Sequence, residues 1–431
     1  MVYLPDLIRQ CNILPGNILY ILFLIGHINP ALRDSQQLKK DMQYNKYSGA
    51  YRQNRRPNRY KSFGRKRIDR RLYIKRADEI TKIEDVETKN SFADFGLKTE
   101  LTKNIKLKGY VKPTQIQDQV IPEILKGRDI LGIADTGTGK TAAFALPLIE
   151  KVLKNPNERI LIMAPTRELA MQIKQEFRSF TWGLRVYITL AIGGSYLGEQ
   201  IKEIRRGPHI IVGTPGRIKD LGKRRVLDFS KIDTLVLDEV DRMLDMGFIG
   251  DIKSIVDQTP KSRQTLFFSA TVDNKVERLI DTFLNNPVKI SIKSPNPSSH
   301  VEQNIVRVGR NMRVEKLKEL VSEADFKKVL IFGSTQITVE RLATTLIQTG
   351  FRAEGLHGGK RQNVRQKIVK SFKENQINIL VATDVAARGL DISDITHVIN
   401  FDEPNNYQDY IHRIGRTGRG DSKGYALTFV E

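Results

Sequence analysis

The chain has 431 residues, more than one hydrophobic core usually organises, so two domains with extensions are expected. Its 71 Lys and Arg outnumber 49 Asp and Glu, and the formal net charge of +22 favours a polyanionic partner, nucleic acid before an anionic membrane. Cys11 is the only cysteine, which excludes a disulfide framework within the chain and favours a reducing cytoplasm.

Residues 1–41 contain an apolar run at 18–25 that is too short for a membrane span, which needs about 20 apolar residues. No stable membrane association is therefore expected. Export is one alternative, although only Arg9 precedes the run and no clear cleavage site follows it. A second alternative is that translation begins at Met42, which would leave residues 1–41 untranslated.

Residues 42–88 are predicted to form a basic extension. Between residues 52 and 76, twelve Lys or Arg stand against one acid, Asp69. Tyr51, Tyr60, Phe63 and Tyr73 are interspersed, but the stretch is too polar to build a core, so a flexible, disordered arm is predicted. Such an arm suits contacts with nucleic-acid phosphates and occasional base stacking. The alternative is a solvated tail that only keeps the protein soluble.

Residues 89–292 alternate helical segments with short apolar runs at 129–133, 159–164, 209–213, 234–237 and 264–269. This alternation indicates a parallel sheet. The Pro- and Ser-rich composition of residues 293–301 indicates a linker. The alternation restarts in residues 302–431, with strands at 329–332, 377–383 and 396–401 and a helix at 336–348 that Gly350 closes. The sequence thus predicts an α/β fold of two tandem parallel-sheet domains.

Residues 134–141 join the first apolar run to a helical segment and have the pattern of a phosphate-binding loop. Backbone N–H groups of the turn and the start of the helix would face the β- and γ-phosphates of a nucleotide. Lys140 would add a point charge, and Thr141 would ligate a magnesium ion. Ala134 departs from the strict pattern, which starts with Gly, so a structural turn is the alternative. The nucleotide-binding residues predicted here are Ala134, Asp135, Thr136, Gly137, Thr138, Gly139, Lys140 and Thr141.

Two carboxylates follow the buried run 234–237, at the end of a strand where nucleotide sites of open α/β sheets lie. Asp238 is predicted to hold the metal ion, and Glu239 to orient and deprotonate the attacking water. The alternative is an acidic start of the next helix, where both carboxylates would suit the helix dipole. Pairing with a phosphate-binding loop favours the catalytic interpretation.

The second domain has no phosphate-binding pattern, but residues 410–420 contain an Arg cluster among glycines. Across a cleft from Lys140, Arg416 and Arg419 are predicted to stabilise charge on the transferring phosphoryl group, an effect of about 10³ to 10⁵ in rate when complete. The alternative is a surface basic loop that binds nucleic-acid phosphates.

In the order of these motifs between residues 91 and 430, the chain resembles the DEAD-box family of superfamily 2 RNA helicases, of bacterial type, with Asp-Glu-Val-Asp in the box. The resemblance implies two RecA-like domains, ATP and Mg²⁺ as cofactors, and RNA as partner. Residues 109–117 resemble the adenine-reading motif of the family. Gln117 would then bond the adenine edge, Tyr110 would stack on the base, Phe92 would be the upstream aromatic residue, and Asp391 would meet the ribose. A bidentate amide distinguishes adenine from guanine, and so ATP from GTP.

The resemblance also implies residues that contact RNA and residues that couple hydrolysis to strand separation. Hydroxyls, backbone amides and Arg side chains would face the RNA backbone, with little sequence specificity. The implied RNA-binding residues are Pro165, Thr166, Arg167, Gly193, Gly194, Thr214, Pro215, Gly216, Arg217, Gln362, Arg365 and Thr383. The implied coupling residues are Asp241, Ser269, Thr271 and His412.

Three positions depart from the family pattern. Val240 replaces the usual Ala without removing a functional group, and Gly359 stands where Asp is common; both changes are expected to be mild. After Glu431 family members usually continue with another helix, which implies an exposed apolar face on the second domain.

The function implied by the resemblance is that of an ATP-dependent RNA helicase, a cytoplasmic monomer that closes its domains on one RNA strand and melts short duplexes. The ribosome and the RNA-degradation machinery are candidate partners. An RNA-binding or annealing protein with a vestigial ATPase is one alternative. A DNA translocase is another, and the adenine-reading motif argues against it.

Overall fold

The computed structural model of the chain describes residues 68–77, 88–135, 137–292, 300–387, 392, 394–418 and 422–431. Some predictions concern residues outside these ranges: the apolar segment 1–41, most of the basic extension, the linker at 293–299, and the site residues Thr136, Asp391 and Arg419. Within the described part of the chain, no helix is long and apolar enough to cross a bilayer.

The first lobe, residues 88–292, contains a parallel sheet with helices on both faces. Its strands are β1 (Ile130–Ile133), β2 (Ile160–Met163), β3 (Ile188–Ala191), β4 (Ile210–Gly213), β5 (Thr234–Leu237), β6 (Gln264–Ser269) and β7 (Val288–Ser291). Its helices are α1 (Thr99–Leu107), α2 (Gln115–Leu125), α3 (Lys140–Lys154), α4 (Arg167–Phe180), α5 (Leu197–Arg205), α6 (Pro215–Lys223), α7 (Val240–Asp245), α8 (Ile249–Val256) and α9 (Asn274–Phe283). The strands β2, β4, β5 and β6 are buried along their whole length because a hydrophobic cluster packs on each face of the sheet, whereas the edge strands β3 and β7 are partly exposed.

The second lobe, residues 300–431, repeats this plan. Its strands are β8 (Val301–Arg307), β9 (Val329–Phe332), β10 (Ala353–Leu356), β11 (Ile379–Ala382), β12 (His397–Asn400) and β13 (Gly424–Val430). Its helices are α10 (Arg313–Val321), α11 (Gln336–Gln348), α12 (Gln362–Lys373), α13 (Asp384–Ala387) and α14 (Tyr407–Ile414). The strands pair in parallel in the order β10-β11-β9-β12-β13-β8. The predicted fold of two parallel-sheet domains is confirmed.

The strand order of the first lobe gathers its motifs at one edge. The order is β3-β4-β2-β5-β6-β1-β7, so β5, β6 and β1 are neighbours. Because parallel strands end at the same edge of a sheet, the segments that follow them meet there. Residues 134–139 follow β1, residues 238–239 follow β5, and residues 270–271 follow β6. The fold therefore brings three segments that are distant in sequence into one site.

Residues 68–77, which we call the strap, correct one prediction. A flexible arm was predicted for all of residues 42–88, but the strap contains a 3₁₀ turn at Arg70–Tyr73 and packs on the second lobe. Tyr73 is fully buried there. This packing could not be predicted from the basic composition, because one buried aromatic side chain is enough to attach a polar segment to the core of another domain.

His397, in β12, makes the second lobe sensitive to acid. Its ring is stacked between Phe326 and Tyr425, with centroids 3.9 and 4.9 Å away. Burial lowers the pKa of His397 from 6.5 to about 4, although Asp325 opposes this shift. The folded protein thus excludes a proton that the unfolded chain binds below pH 6.5.

We therefore expect the free energy of unfolding to be fully retained above the unfolded pKa of His397 and to fall by roughly 3 kcal/mol as the pH drops to about 4. A His397→Phe variant keeps an aromatic ring but has no titratable group at this position. Its free energy of unfolding should therefore not show this fall of roughly 3 kcal/mol between neutral pH and pH 4. Urea unfolding of both proteins between neutral and acid pH measures the difference. Parallel curves for the two proteins would contradict this account.

Candidate functional site

The loop after β1 is closed by the side chain of Lys140. Gly137 and Gly139 both have φ +91°, a left-handed conformation that glycine adopts without penalty. α3 then begins at Lys140, whose side chain is buried and whose Nζ donates to the carbonyl oxygen of Ala134 at 2.5 Å. Thr138 Oγ1 donates to the carbonyl oxygen of Asp135 at 2.9 Å. The ammonium group thus lies over the backbone of the predicted phosphate loop.

The predicted adenine-reading residue, Gln117, contacts this loop directly. Its side-chain oxygen accepts from the backbone N–H of Thr114, and its Nε2 donates to the carbonyl oxygen of Gly139 at 3.2 Å. Thr114 Oγ1 donates to the carbonyl oxygen of Thr138 at 2.8 Å. A Cβ at Gly139 would collide with the Gln117 amide, so this position requires glycine. The start of α2 and the phosphate loop form one hydrogen-bonded unit.

Phe92 and Tyr110 belong to an aromatic row beside this unit. The ring of Tyr110 packs edge-on against Phe92 and Phe180, with centroids 6.2 and 5.6 Å away, and its hydroxyl donates to Glu176 at 3.1 Å. Burial raises the pKa of the Tyr110 hydroxyl. Tyr110 is half-buried in this row, so stacking on a base stays a prediction.

Asp238 and Glu239 follow β5, and both side chains are buried. Burial raises the pKa of Asp238 to about 6 against the opposing charge of Lys140. Its Oδ1 atom is buried and has no hydrogen-bond partner among the described residues. A buried carboxylate oxygen without a donor, close to a cation and to the first turn of α3 with Thr141, is suited to a metal ion.

No group of three or more His, Cys, Asp or Glu side chains in the described ranges is placed to hold a metal. Mg²⁺ in phosphate sites usually takes one or two carboxylates together with waters and phosphate oxygens. The donor set of Asp238 and Thr141 therefore fits Mg²⁺ bound together with a nucleotide.

Glu239 is held by a residue that the sequence did not single out. Its backbone is left-handed, with φ 54° and ψ 54°, which costs a non-glycine residue about 1 kcal/mol or more. Arg242, one turn later, donates from Nη1 to Glu239 Oε2 at 2.7 Å, and both side chains are buried. Burial tends to raise the pKa of Glu239, but the positive charges of Arg242, Lys140 and Arg416 outweigh it and lower the pKa. Glu239 is therefore an ionised carboxylate in a fixed orientation.

The predicted coupling residues of the first lobe contact one another. Asp241 Oδ2 accepts from both the backbone N–H and the hydroxyl of Thr271, at 3.1 and 3.0 Å. Ser269 Oγ donates to the carbonyl oxygen of Thr271 at 2.6 Å. These bonds join the segment after β6 to the segment after β5.

Arg416 is the residue of the second lobe that lies near this site. It lies two residues after α14 and is 4% exposed, and its charge contributes to the lowered pKa of Glu239 in the first lobe. Arg416 is therefore near enough to Glu239 for its charge to act on that carboxylate, and its predicted place across a cleft from Lys140 stays a prediction. His412 is in α14, and its Nε2 atom lies 3.2 Å from the Nε2 atom of Gln408.

A neighbouring arginine, Arg413, anchors α14 to its own lobe. Its guanidinium group makes two bonds with Asp384, at 2.6 and 2.8 Å, and a further bond of 3.1 Å with Asn400. It also lies over the ring of Phe332. The sequence offered three arginines in this segment without showing that Arg413 is structural and that Arg416 faces the other lobe.

The predicted RNA-binding residues of the two lobes meet at a second junction. Arg365 donates from Nε and Nη2 to Glu168 at 2.9 and 2.8 Å, and Gln362 Nε2 donates to the same oxygen at 3.2 Å. Arg167 Nη1 donates to Gln362 Oε1 at 3.4 Å and lies over Gly194, where a Cβ would collide with it. Glu168 was missed from sequence because its role depends on an arginine about two hundred residues later.

This junction is rich in positive charge. Burial and the charges of Arg365 and Arg217 lower the pKa of Arg167, and Glu168 opposes them. A cavity of about 490 Å³ opens beside it, lined by Arg167, Gly194, Ser195, Tyr196, Gly359, Lys360, Arg361, Gln362, Asn363 and Gln366. Arg167, Lys360 and Arg361 line the cavity, and Glu340 pairs with Lys360 at 2.6 Å, so the lining carries an excess of positive charge that suits an anion.

Most of the remaining predicted RNA-binding residues lie at the starts of helices. Pro165 and Thr166 precede α4, and Thr166 Oγ1 accepts from the backbone N–H of Leu169. Thr214 precedes α6, which begins at Pro215 and includes Gly216 and Arg217. Gly193 lies in the turn after β3, beside Arg167. The carbonyl oxygen of Thr383 accepts from the first turn of α13. Helix starts expose N–H groups, which suit phosphate oxygens.

Comparison with known proteins identifies the family. Residues 114–279 match the DEAD/DEAH box helicase family, and residues 312–421 match the helicase conserved C-terminal domain. ATP-dependent RNA helicase CshA of Listeria monocytogenes is 44% identical over 342 residues, which are 79% of this chain and 66% of the relative. CshA of Limosilactobacillus reuteri is 45% identical over 341 residues, which are 79% of this chain and 69% of the relative.

The chain belongs to the DEAD-box RNA helicase family. It spans about two thirds of the length of these curated relatives. Among solved structures, S. cerevisiae Dbp5 bound to RNA and ADP BeF3 is 30% identical, with a TM-score of 0.71 over 79% of this chain and 89% of that chain. Mss116p bound to ssRNA and AMP-PNP is 29% identical, with a TM-score of 0.72 over 82% of this chain and 76% of that chain.

Both junctions take groups from both lobes. At the first, the charge of Arg416 in the second lobe helps to lower the pKa of Glu239 in the first. At the second, Arg167 and Glu168 of the first lobe bond Gln362 and Arg365 of the second.

Proposed function

We propose that this protein is an RNA-stimulated, Mg²⁺-dependent ATPase that uses closure of its two lobes to melt short RNA duplexes and to remodel RNA–protein complexes. The observation that carries the proposal is a buried carboxylate pair in which Asp238 has an unpartnered oxygen and Arg242 holds Glu239, with the buried Arg416 of the second lobe near enough to help lower the pKa of Glu239. A hydrolytic site completed by both lobes ties each turnover to their relative position. Two relatives with CshA names are ATP-dependent RNA helicases, in agreement with the proposal.

In the proposed reaction, ATP replaces the contact between Lys140 and Ala134, and the ammonium group then binds the phosphates. Mg²⁺, held by Asp238 and Thr141, would neutralise charge on the β- and γ-phosphates. Glu239 orients the attacking water and accepts its proton, since its carboxylate is ionised and fixed by Arg242. Arg416 stabilises charge that develops on the transferring phosphoryl group, and Arg419 is proposed to assist. Gln117 reads adenine, Phe92 and Tyr110 border the base, and Asp391 contacts the ribose.

RNA is proposed to bind along the junction around Arg167, Gln362 and Arg365. The starts of α4 and α6 supply backbone N–H groups to its phosphates, and Arg217 and Thr383 extend the contact surface. Contacts of this kind follow the backbone and carry little sequence information, while the 2′-hydroxyl distinguishes RNA from DNA. Opening six steps of a duplex, at about 1.4 kcal/mol per step, costs about 8 kcal/mol, which suits local melting and not long unwinding in one event.

The Asp-Glu-Val-Asp sequence is proposed to work as a variant of the family box. Val240 is fully buried in the hydrophobic cluster beneath the site, so its two extra methyl groups face the core and leave the carboxylates in place. Asp241 keeps both of its bonds to Thr271, through which we propose that hydrolysis is coupled to strand separation, together with Ser269 and His412.

For the domain layout, we propose helicase domains at residues 89–292 and 300–431, with a linker between them, and a basic extension at 42–88 that adds RNA affinity. The predicted end of the linker at residue 301 is corrected, because Val301 is buried and begins β8. Residues 1–41 are given no function. With one cysteine in the sequence, we propose a reducing, cytoplasmic location. We also propose that the protein acts as a monomer.

RNA-stimulated ATP hydrolysis by the full chain is the test. We expect single-stranded RNA to raise the rate at least about tenfold, because RNA bound to both lobes favours the closed arrangement in which Arg416 lies near Glu239. A DNA strand of the same sequence serves as the matched control and should stimulate much less. An RNA-binding protein with a vestigial ATPase would bind the RNA without stimulation. A DNA translocase would respond to both strands equally, and either result would overturn the proposal.

A further inference from the structure

The strap, residues 68–77, lies on the second lobe, although the next described residues, from 88 onward, belong to the first lobe. Lys75 and Gln303 exchange two backbone hydrogen bonds, of 3.1 and 2.8 Å, in an antiparallel bridge. Gln303 is in β8, the edge strand of the second sheet. Arg70 Nη1 donates to the backbone oxygen of Glu431 at 2.6 Å, and the Arg70 side chain lies 3.8 Å from Glu403. The strap is thus attached along its length to the second lobe.

Tyr73 is the anchor of the strap. Its ring is fully buried and lies 4.7 Å from that of Tyr410, centroid to centroid. Burial raises the pKa of Tyr73 to about 12, and its hydroxyl has no hydrogen-bond partner among the described residues. The ring is therefore what Tyr73 contributes. The buried cluster that receives it contains Tyr73, Val301, Tyr410, Ile414, Ala426 and Val430.

The same cluster holds the helix that leads to Arg416. Tyr410 and Ile414 are the residues of α14 in the cluster, and the chain reaches Arg416 two residues after Ile414. The hydroxyl of Tyr410 donates to Gln303 Oε1 at 2.9 Å. Gln303 thus binds the strap through its backbone and α14 through its side chain. The strap supports α14 through Tyr410, while Arg413 anchors the helix to Asp384.

We propose that the strap is a positioning element for Arg416, with Tyr73 as its principal residue. Arg416 must reach the transferring phosphoryl group within a few tenths of an ångström, and a misplacement of about 1 Å can cost 10²-fold in rate. A small cluster of six buried side chains that loses one tyrosine leaves α14 less constrained. The inference rests on the proposed function, because it assigns a role in the ATPase step. The strap lies outside both ranges that match the family.

A role limited to stability is the competing account, and the two differ in their kinetic signature. Loss of stability alone lowers the melting temperature and leaves kcat unchanged wherever the variant is folded. Loss of positioning lowers kcat for the folded enzyme. KM for ATP stays the same, since the proposed contact of Arg416 forms only as charge develops on the phosphoryl group.

The experiment compares Tyr73→Ala with Tyr73→Phe in the full chain, at a temperature at which circular dichroism shows both to be folded. For RNA-stimulated ATP hydrolysis we expect Tyr73→Ala to have about tenfold lower kcat, with KM for ATP within about twofold. Tyr73→Phe keeps the ring and removes only an unpartnered hydroxyl, so it should match the wild type. Equal kcat for all three proteins would overturn the inference.

Lys75→Pro is the second variant, for the case that Tyr73→Ala does not fold. Proline removes the N–H that bonds Gln303 and leaves the hydrophobic cluster intact. Lys75→Ala, which keeps the N–H, is its control. At saturating RNA, where a loss of RNA affinity in the basic extension does not affect kcat, we expect lower kcat in Lys75→Pro alone. Equal kcat in both Lys75 variants would overturn the inference. A wild-type protein without RNA-stimulated hydrolysis would instead remove the proposed function, so the two failures are distinguishable.

Discussion

Replacing Glu239 with Gln should lower kcat for RNA-stimulated ATP hydrolysis by about 10³-fold while ATP and RNA stay bound. The amide cannot accept a proton from the attacking water. It has the size of the carboxylate and can still accept a hydrogen bond from Arg242, which lies 2.7 Å from Glu239 in the native protein. The fold and the strained backbone at this position are therefore retained. Because the lobes close but the site cannot reopen by hydrolysis, the variant should trap a complex with ATP and RNA.

Single-turnover hydrolysis, and the dissociation rate of a labelled RNA with ATP present, measure this effect. A matched control is Glu323→Gln, the same change at an exposed position of the second lobe, which should leave both rates at the wild-type value. If Glu239→Gln hydrolyses ATP within about tenfold of the wild type, Glu239 is not the base. Rapid RNA release by the variant in ATP would show that closure does not depend on this site.

Asp238 and Glu239 are adjacent in sequence, but their surroundings shift their pKa values in opposite directions. Burial dominates at Asp238 and raises its pKa, whereas three neighbouring cations dominate at Glu239 and lower it. Both proposed roles need an ionised carboxylate, so the contacts of the two side chains distinguish the roles. The buried, unpartnered oxygen of Asp238 suits a metal ion, and the oriented carboxylate of Glu239 suits proton transfer.

The fold, and the types of residue at the candidate site, could be predicted from the sequence. Apolar runs separated by helical segments specify parallel strands, and the carboxyl ends of those strands determine where Lys140 and Asp238 lie. Spacing could not reveal contacts between residues distant in the chain. The bond between Gln117 and Gly139, and the pairing of Glu168 with Arg365, depend on how separate elements pack. The basic composition of residues 42–88 also gave no sign of the strap, because the contact with the second lobe depends mainly on one tyrosine, Tyr73, among many basic residues.

Arg413 and Arg416 are a second case in which the sequence could not reveal contacts between distant residues. Arg413 and Arg416 are three residues apart and chemically identical, so no pattern of residue types distinguishes them. In the fold, Arg413 is satisfied by Asp384 and Asn400 within its own lobe, whereas the charge of Arg416 acts on Glu239 in the other. One arginine stabilises the lobe, and the other links the lobes.

Replacing Arg416 with Ala should therefore lower kcat for RNA-stimulated hydrolysis by about 10³-fold, with KM for ATP changed by less than about threefold. The guanidinium group is proposed to contact the phosphoryl group only as charge develops on it, so the binding of ATP to the first lobe does not depend on it. Arg341→Ala, at an exposed position on the same lobe, is the control and should behave as the wild type.

The double variant Arg416→Ala with Glu239→Gln gives the decisive comparison. If the two residues serve one chemical step, the second change adds little to the loss caused by the first, since a site without its base gains little from charge stabilisation by Arg416. Full additivity of the two losses would mean that Arg416 acts elsewhere, for instance on RNA. In that case RNA affinity, measured without nucleotide, would fall in Arg416→Ala. A loss of kcat with unchanged RNA affinity and strong non-additivity would establish that the second lobe completes the hydrolytic site of the first.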